Sequence, residues 1–233
     1  MGNDQDFEFK HKFFEWQTIH LSILLLLLTA LIMASVLPVV SEGSYLGIST
    51  NVWFWLSIFA SIAHQMYVWV MWRLELYAKA LSKRFNNPFL LLTVFFRLLG
   101  FSRFLIVPLA IANRGTINLN PFYQWVLPVL FFFLAGYLFY SVIRWFGINK
   151  GMGLDHFVPE VARDWKMVDK GIFKYSSNAM YTFGFLIFWA IALIFESSAA
   201  LIVAAFNHLY IWVHYYCTEK PDMDFIYGEE VRK

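Results

Sequence analysis

The chain has 233 residues, of which 60% are hydrophobic, 21% aromatic and 15% charged, and its mean hydropathy is +0.56. A water-soluble domain of this composition would have too little polar surface, so a soluble globular protein is excluded. The formal net charge of +2 is too small to indicate nucleic-acid binding, and a single cysteine, Cys217, excludes an internal disulfide.

Six apolar stretches approach or exceed the roughly 20 residues that a membrane helix needs. In chain order they cover residues 20–40, 52–72, 88–112, 122–145, 180–195 and 199–217. None shows the alternation of a barrel strand, so the sequence predicts an all-α, polytopic membrane bundle of about six helices. Residues 1–146 are expected to form four transmembrane helices. Residues 147–233 are expected to add a cofactor-binding loop, a transmembrane hairpin and a tail to the same membrane domain.

Lysine and arginine alternate between the two sides of this predicted bundle. Fifteen of them lie in the N-terminal segment, the second and fourth connections and the tail, whereas Arg114 alone lies on the other side. By the positive-inside rule this pattern predicts that both termini are cytoplasmic. The first span follows acidic as well as basic residues and is long enough to cross, so it is expected to be an anchor and not a cleavable signal peptide.

Two polar signatures adjoin the predicted hairpin. The first, residues 174–181, begins the fifth span, and the second, Thr218-Glu219-Lys220-Pro221, follows the sixth. A hairpin would bring both to the cytoplasmic face, where they could enclose a ligand. The preceding connection, residues 147–177, interleaves apolar and charged residues, which predicts an interfacial segment. Its Gly151-Met152-Gly153 would let the backbone approach a ligand or would form a plain turn.

Over the C-terminal third, the sequence resembles the integral-membrane methyltransferases. Asn178-Ala179-Met180-Tyr181 is similar to an Asn-Pro-Met-Tyr run of the phosphatidylethanolamine N-methyltransferases, and Glu219-Lys220-Pro221 is similar to their paired glutamates before a proline. Ile226-Tyr227 and the terminal Gly228-Glu229-Glu230 complete the pattern. In the isoprenylcysteine carboxyl methyltransferases a basic residue stands one helical turn before the glutamate. Tyr215 stands there in this chain, which favours the phospholipid branch.

The resemblance implies S-adenosylmethionine as the methyl donor. Glu219 would pair with the ammonium of the donor, and the rings of Tyr175 and Tyr181 would lie near its sulfonium. Backbone around Met167 and Val168 and at the start of the fifth span would receive the adenine and the carboxylate, the latter helped by a helix N-terminus. The cofactor-binding residues expected on this basis are Gly151, Gly153, Met167, Val168, Tyr175, Asn178, Ala179, Met180, Tyr181 and Glu219. A solvated Glu219 and an aromatic belt at the membrane surface are the plainer alternatives.

An amine acceptor requires a base, because a phosphatidylethanolamine headgroup arrives largely as an ammonium, whereas a carboxylate acceptor requires none. The candidate catalytic residues are therefore His156, His214 and Glu219. Arg103, a charge inside the third span, is expected to contact a lipid phosphate or an acidic partner, and Tyr215 is a second candidate for substrate binding.

The polar residues Ser57, Ser61 and His64 lie near one stripe of the second span. They would line a vestibule for a lipid headgroup or would hydrogen-bond to neighbouring helices. The sequence shows no spacing typical of a metal site.

The sequence therefore predicts a membrane methyltransferase that acts on a lipid, foremost the amine of a phosphatidylethanolamine-type headgroup reached from the cytoplasmic leaflet. Three alternatives remain open. The first is carboxyl methylation of a prenylated cysteine. The second is an NADPH-dependent enzyme of the sterol-reductase type, which ends with a similar aromatic hairpin but would have an Arg-His-Pro run that is absent here. The third is a non-enzymatic transporter or scaffold.

Overall fold

The computed structural model describes residues 2–228 and, for residues 2–7, the backbone only, so Glu229 and Glu230 of the C-terminal signature lie outside the described residues. The α-helices are α1 Gly2–Phe14, α2 Gln17–Ser35, α3 Pro38–Ser41, α4 Thr50–Ala78, α5 Pro88–Ser102, α6 Ile106–Ala112, α7 Leu127–Ser141, α8 Ile148–Gly151, α9 Pro159–Ala162, α10 Ala179–Phe183, α11 Leu186–Ile194, α12 Ser198–His214 and α13 Lys220–Tyr227. Turns of 3-10 helix cover Arg103–Leu105, Leu154–His156 and Gly171–Lys174, and π-helical turns cover Phe122–Val126, Val142–Phe146 and Tyr215–Glu219. The predicted helical class is confirmed.

Within these described residues, four helical stretches are long and apolar enough to cross a membrane. They are Glu8–Ser35, Thr50–Ala78, Pro88–Ala112 and Phe122–Phe146. The apolar stretch Ala179–Ile194 is shorter, and α12 follows it directly. Large apolar side chains such as Leu26, Met33 and Phe133 point outward from the long helices, which is typical of a surface that faces lipid.

The helices run between two ends of one bundle. One end, called here the polar end, holds Ala78, Pro88, Phe146, Ala179 and His214. The opposite end, called the far end, holds Ser35, Thr50, Ala112, Phe122, Ile194 and Ser198. The second long helix continues six residues beyond the predicted boundary at residue 72. Arg73, which the sequence places in a connection, therefore lies inside α4 and is fully buried.

The far end is tied together by the buried side chain of Asn113. Its amide nitrogen donates to the carbonyl oxygens of Val39 (3.2 Å) and Glu42 (3.1 Å), and its amide oxygen accepts from the Ala199 backbone N–H at 2.9 Å. A small antiparallel hairpin, β1 Ser44–Tyr45 with β2 Ile48–Ser49, lies beside it and was not predicted. These contacts fix the start of α12 against the segment that precedes the hairpin.

Small side chains let α11 and α12 pack closely near this connection. Ala190 and Ala192 of α11 and Ala199, Ala200 and Ala204 of α12 are fully buried. Packing of small residues is a common source of attraction between helices in a membrane, where no hydrophobic effect drives them together. The close pair α11–α12 also packs against α7 and α4, so the two polar signatures come to the polar end of the same bundle.

A proline shapes the polar end of the last long helix. Pro221 has no N–H, so the carbonyl oxygen of Cys217, four residues earlier, has no helical donor. The side-chain amide of Gln17 donates to this oxygen at 2.8 Å, and the Arg73 guanidinium donates to it at 3.2 Å. The π-helical turn Tyr215–Glu219 thus ends in a fixed position against α2 and α4, which positions Glu219.

Candidate active site

A chamber of about 1090 Å³ lies in the polar half of the bundle. Its wall is formed by α4, α5, α7, the connection between α7 and α10, α10 itself, α11, α12 and α13. Pockets that hold a single drug-sized ligand have volumes of roughly 300–1,000 Å³, so this chamber has room for a cofactor together with part of a second ligand. Apolar residues make up most of the wall, and polar groups project into it at a few places.

The chamber brings together twelve of the fourteen predicted site residues. They are Arg103, Gly151, Gly153, His156, Met167, Val168, Asn178, Met180, Tyr181, His214, Tyr215 and Glu219. Tyr175 does not line it: the 3-10 turn Gly171–Lys174 ends beside it, and 76% of its surface is exposed. Ala179 does not line it either: it is fully buried in an apolar cluster behind the wall, with Leu138 and Ile172. The expected contacts of Tyr175 and Ala179 with a cofactor are therefore not supported by their positions.

Gly153 is required by the close approach of its loop to α4. Its φ is +83°, and a Cβ at this position would lie 2.4 Å from the Trp72 indole. Glycine alone meets both demands without strain. Gly151 has ordinary space around it, with the Met180 sulfur 3.8 Å from a built Cβ. Gly153, and not Gly151, thus allows this loop to pack closely against α4 at the chamber wall.

Two carboxylates and a histidine form a buried cluster where this loop meets α13. His156 Nδ1 lies 2.9 Å from Asp155 Oδ1, and its Nε2 lies 3.5 Å from Asp222 Oδ2, an ion-pair distance that is too long for a good hydrogen bond. The hydroxyl of Tyr227 donates to Asp155 at 3.0 Å. The His156 ring stacks on Trp72 with 4.2 Å between ring centroids. The cluster therefore fixes the loop, α4 and α13 relative to one another.

The charge state of this cluster assigns His156 a role different from the predicted base. Burial alone would lower the pKa of His156, but Asp155 and Asp222 outweigh it and raise this pKa to about 9. Burial would likewise raise the pKa of Asp155, but His156 and the bonds from His156 and Tyr227 bring it below its ordinary value. At neutral pH the imidazole is protonated, and an imidazolium has no lone pair that can take a further proton.

Glu219 is the acidic group of the second signature, and it stands half-buried in the chamber wall. Burial raises the pKa of its carboxyl to about 7, since an ionised carboxylate is poorly solvated there. The Tyr181 hydroxyl and the His156 charge oppose this rise, whereas Asp155 and Asp222 add to it. Glu219 is therefore a carboxylate that a cationic ligand would stabilise.

His214 is the last residue of α12 and lies five residues before Glu219, closer to the middle of the bundle. Only 2% of its surface is exposed, and neither ring nitrogen has a hydrogen-bond partner. The rings of Trp72 and His20 are 5.9 and 6.2 Å away, centroid to centroid. Buried polar atoms are almost always paired in folded proteins, so the two unpaired nitrogens of His214 are unusual for a residue of the chamber wall.

Several residues of this region were not singled out from the sequence. Arg73 Nε donates to Asp222 Oδ1 at 3.0 Å, and its Nη1 donates to the backbone oxygens of Phe13 (2.9 Å) and Glu15 (2.8 Å). The Tyr77 hydroxyl donates to Asp222 at 2.8 Å. The one available signal was the cation Arg73 directly after a long apolar stretch. If the helix continues past residue 72, this charge is buried and needs a partner.

In the described part of the chain, no group of three His, Cys, Asp or Glu side chains is arranged to hold a metal ion. Within the described residues, three of the four membrane-length helices line this chamber, which defines a polytopic membrane protein with an internal ligand site.

Residues 123–230 match the family model of the phospholipid methyltransferases. This match includes both polar signatures and confirms their resemblance to the integral-membrane methyltransferases.

One relative in Clavispora lusitaniae (strain ATCC 42720) is a phosphatidylethanolamine N-methyltransferase, and it is 35% identical over 74 residues. This alignment covers 32% of the present chain and 8% of the relative. No solved structure matches the chain.

Proposed function

We propose that this protein is an S-adenosylmethionine-dependent methyltransferase that methylates the amine of a phosphatidylethanolamine-type lipid. One observation carries the proposal: a single chamber is lined by both polar signatures and continues between apolar helices. In this proposal Ala179–Ile194 and α12 are the fifth and sixth spans. Both termini and the polar end face the cytoplasm, as the positive-inside rule predicts.

The residues at the polar end of the chamber suit the methyl donor. Glu219 provides a carboxylate for an ammonium group, and Lys150, whose Nζ lies 5.1 Å from the Phe146 ring centroid, provides a positive charge for a carboxylate. The backbone of Gly151, Met152 and Gly153 lines the same region. The helix N-terminus expected at the start of the fifth span is weaker than predicted, since α10 has only five residues. When bound, S-adenosylmethionine would supply an electrophilic methyl group.

The acceptor lipid would enter from the side. Gly100, Phe101 and Phe104 line the chamber from one side, and Val142 and Ile143 line it from the other. In the described part of the chain, α5 and α7 do not pack against each other along their lengths, which leaves an apolar cleft between them. Acyl chains can occupy such a cleft while the headgroup reaches the chamber. His214, whose ring nitrogens are unpaired, is placed to take the proton that the ammonium must lose.

Glu219→Gln tests the proposal directly. We expect this variant to bind S-adenosylhomocysteine about tenfold or more weakly, because a charge-assisted contact of roughly 1.5–3 kcal/mol is lost. Binding is measured as the rise in thermal stability of the detergent-purified protein, and activity as methyl transfer to phosphatidylethanolamine. Glu160→Gln is the matched control, since Glu160 is exposed and does not line the chamber.

Three outcomes would contradict the proposal. If Glu219→Gln and Glu160→Gln bind S-adenosylhomocysteine equally well, Glu219 does not bind the cofactor. Stabilisation of the wild-type protein by NADPH but not by S-adenosylhomocysteine would favour a reductase. Methylation of a farnesylated cysteine but not of phosphatidylethanolamine would move the acceptor from an amine to a carboxylate.

The affinity for S-adenosylhomocysteine should depend on pH through Glu219. Its pKa of about 7 leaves it largely ionised at pH 8 and largely protonated at pH 6. Since only the carboxylate pairs with an ammonium, the dissociation constant should rise about tenfold between pH 8 and pH 6. His156, whose pKa is about 9, stays protonated across this range. Isothermal titration of wild type and Glu219→Gln at both values checks this, and a wild-type curve as flat as that of the variant would disprove it.

A further inference from the structure

Arg103 is a buried cation without an acidic partner in the interior of the bundle. It lies in the third long helix, roughly 20 Å along the axis from Pro88 at 1.5 Å per residue, and 5% of its surface is exposed. Among the described residues, no carboxylate forms an ion pair with it. A charge at this depth is expensive unless something neutralises it, and its guanidinium borders the chamber.

We propose that Arg103 and His64 form a binding site for the phosphodiester group of the lipid acceptor at the inner end of the chamber. The site deepens the proposed function and rests on it for the role of this lipid as the substrate. A phosphatidylethanolamine headgroup carries its amine two carbons from its phosphate ester oxygen. A phosphate held at Arg103 would therefore leave the amine free to reach toward His214 in the same chamber.

The hydrogen bonds of this pair show which atoms remain available. Arg103 Nε donates to His64 Nδ1 at 3.1 Å, so Nδ1 is the acceptor nitrogen of a neutral imidazole and Nε2 carries the hydrogen. Arg103 Nη1 donates to Asn207 Oδ1 at 2.8 Å. The atoms left without a partner are His64 Nε2 and Arg103 Nη2. Both are donors, so the ligand that completes them must supply acceptor oxygens.

A third unpaired donor extends the same wall toward the polar end. The indole N–H of Trp72 is buried and has no partner. Trp72, His64 and Arg103 all line the chamber, and none of their free atoms can accept a hydrogen bond from a donor. Such a wall suits an anion rich in oxygen and rejects an ammonium. A phosphodiester, with one negative charge and two unesterified oxygens, matches both the charge of Arg103 and the planar fork of its guanidinium.

The surroundings hold Arg103 in place before any ligand arrives. Asn207 Oδ1 also accepts from Ser61 Oγ at 2.7 Å, and Asn207 Nδ2 donates to the Val203 carbonyl at 2.9 Å. The Arg103 guanidinium carbon lies 5.3 Å from the Phe185 ring centroid, a cation–π distance. Because the fork is already oriented, little side-chain entropy remains to be lost on binding.

The test uses a lipid that has the phosphodiester but cannot be methylated on nitrogen. Dioleoyl phosphatidylmethanol is titrated into the detergent-purified protein, and the rise in thermal stability gives an apparent affinity. Dioleoylglycerol, with the same chains and no phosphate, is the lipid control. We expect phosphatidylmethanol to stabilise the wild-type protein and Arg103→Met to weaken its binding about tenfold or more. Arg144→Met, an exposed arginine outside the chamber, should bind like wild type.

S-adenosylhomocysteine binding is measured in the same samples and keeps the two proposals apart. Arg103→Met should bind S-adenosylhomocysteine like wild type, which also shows that the variant is folded. If the wild-type protein binds phosphatidylmethanol through Arg103 but does not respond to S-adenosylhomocysteine, the phosphodiester site stands and the proposed function fails. If S-adenosylhomocysteine binds and Arg103→Met retains full affinity for phosphatidylmethanol, the phosphodiester site is wrong.

Two further arms keep the assignment falsifiable. Arg103→Lys keeps the charge, loses the fork and should weaken phosphatidylmethanol binding less than Arg103→Met does. Arg103→Lys also replaces Arg103→Met in the test if the latter fails to fold. In that case, wild-type affinity for phosphatidylmethanol in both Arg103→Lys and His64→Phe would overturn the site. A farnesylated N-acetylcysteine offers a carboxylate in place of the phosphodiester. If it alone binds through Arg103, the ligand is a carboxylate and the phosphodiester assignment is wrong.

Discussion

Replacing His214 by glutamine is expected to slow methyl transfer to phosphatidylethanolamine by about 100- to 10,000-fold, the usual range for the loss of a general base. An ammonium nitrogen has no lone pair, so it must lose a proton before it can react. Of the three predicted bases, His156 is already protonated through Asp155 and Asp222, and Glu219, at the polar end of the chamber, is the proposed partner of the cofactor ammonium. His214 borders the chamber between that end and Arg103, and its ring nitrogens are unpaired.

His208→Gln is the matched control for this experiment. His208 lies on the same helix, does not line the chamber, and accepts a hydrogen bond from the Trp189 indole at 3.1 Å. Single-turnover rates at saturating cofactor separate the chemical step from binding, and S-adenosylhomocysteine affinity should stay within about twofold of wild type in both variants. A His214→Gln rate above about a tenth of wild type would rule out this base.

The same substitution distinguishes the two lipid acceptors that the family resemblance leaves open. A carboxylate is already a nucleophile and needs no base, so carboxyl methylation of a prenylated cysteine should be nearly indifferent to His214→Gln. The two acceptors thus predict different results for this substitution: a large loss of rate for the amine and almost no loss for the carboxylate. That is a sharper criterion than the presence of Tyr215 in place of a basic residue one turn before Glu219.

The sequence predicts the polar end of the chamber better than its walls. Asn178, Met180, Tyr181 and Glu219 come together because a short connection joins two apolar helices, and such a hairpin places their outer ends at the same membrane face. The first and second long helices do not end where hydropathy alone predicts. Hydropathy responds to composition, whereas a helix end is set by caps such as Lys79, whose φ is +51°.

The misplaced residues share one physical cause: their positions depend on contacts distant in sequence. Tyr175 points outward because the Ile172 N–H is held by Ser141 Oγ at 3.2 Å, which fixes the 3-10 turn before it. The sequence predicts a free base at His156, but Asp155, the preceding residue, and Asp222, 66 residues later, keep it protonated, and only the contact with Asp222 is distant in sequence. No local pattern in a single sequence reports such pairs.

Two kinds of buried polar group lie in or beside the chamber: groups that form ion pairs and groups that have no hydrogen-bond partner. At the polar end, Asp155, His156, Asp222 and Arg73 form ion pairs with one another, although His156 Nε2, 3.5 Å from Asp222, has no hydrogen bond. Farther in, Trp72, His64, Arg103 and His214 have buried polar atoms without a hydrogen-bond partner. Unpaired buried groups lower stability, and the ion-paired cluster beside them limits how far the walls can relax to hide them. The paired cluster thus preserves an open, polar chamber.

Arg73→Met is expected to lower the free energy of unfolding by about 3–5 kcal/mol, the range for breaking one side of a buried ion pair. Arg73 has no exposed surface and contacts Asp222, the end of α1 and the carbonyl oxygen of Cys217 that Pro221 leaves without a helical donor. Its loss leaves a buried carboxylate with only the longer His156 contact, 3.5 Å away, to balance its charge. Stability is measured by titrating the detergent-solubilised protein with a denaturing detergent and following helix content. Arg84→Met, an exposed arginine beyond the end of α4, is the control and should change stability by less than about 0.5 kcal/mol.

A double-mutant cycle with Asp222→Asn shows whether the charge pair or the packing of Arg73 is responsible. If the ion pair dominates, Arg73→Met combined with Asp222→Asn should be less destabilising than the sum of the single changes, by about 1–3 kcal/mol. Additive effects would instead assign the stability to the contacts of Arg73 with the backbone oxygens of Phe13, Glu15 and Cys217. In that case the arginine would act as a clamp on α1 and the π-helical turn. S-adenosylhomocysteine binding would then weaken in Arg73→Met but not in Asp222→Asn, because only the former would release the turn that positions Glu219.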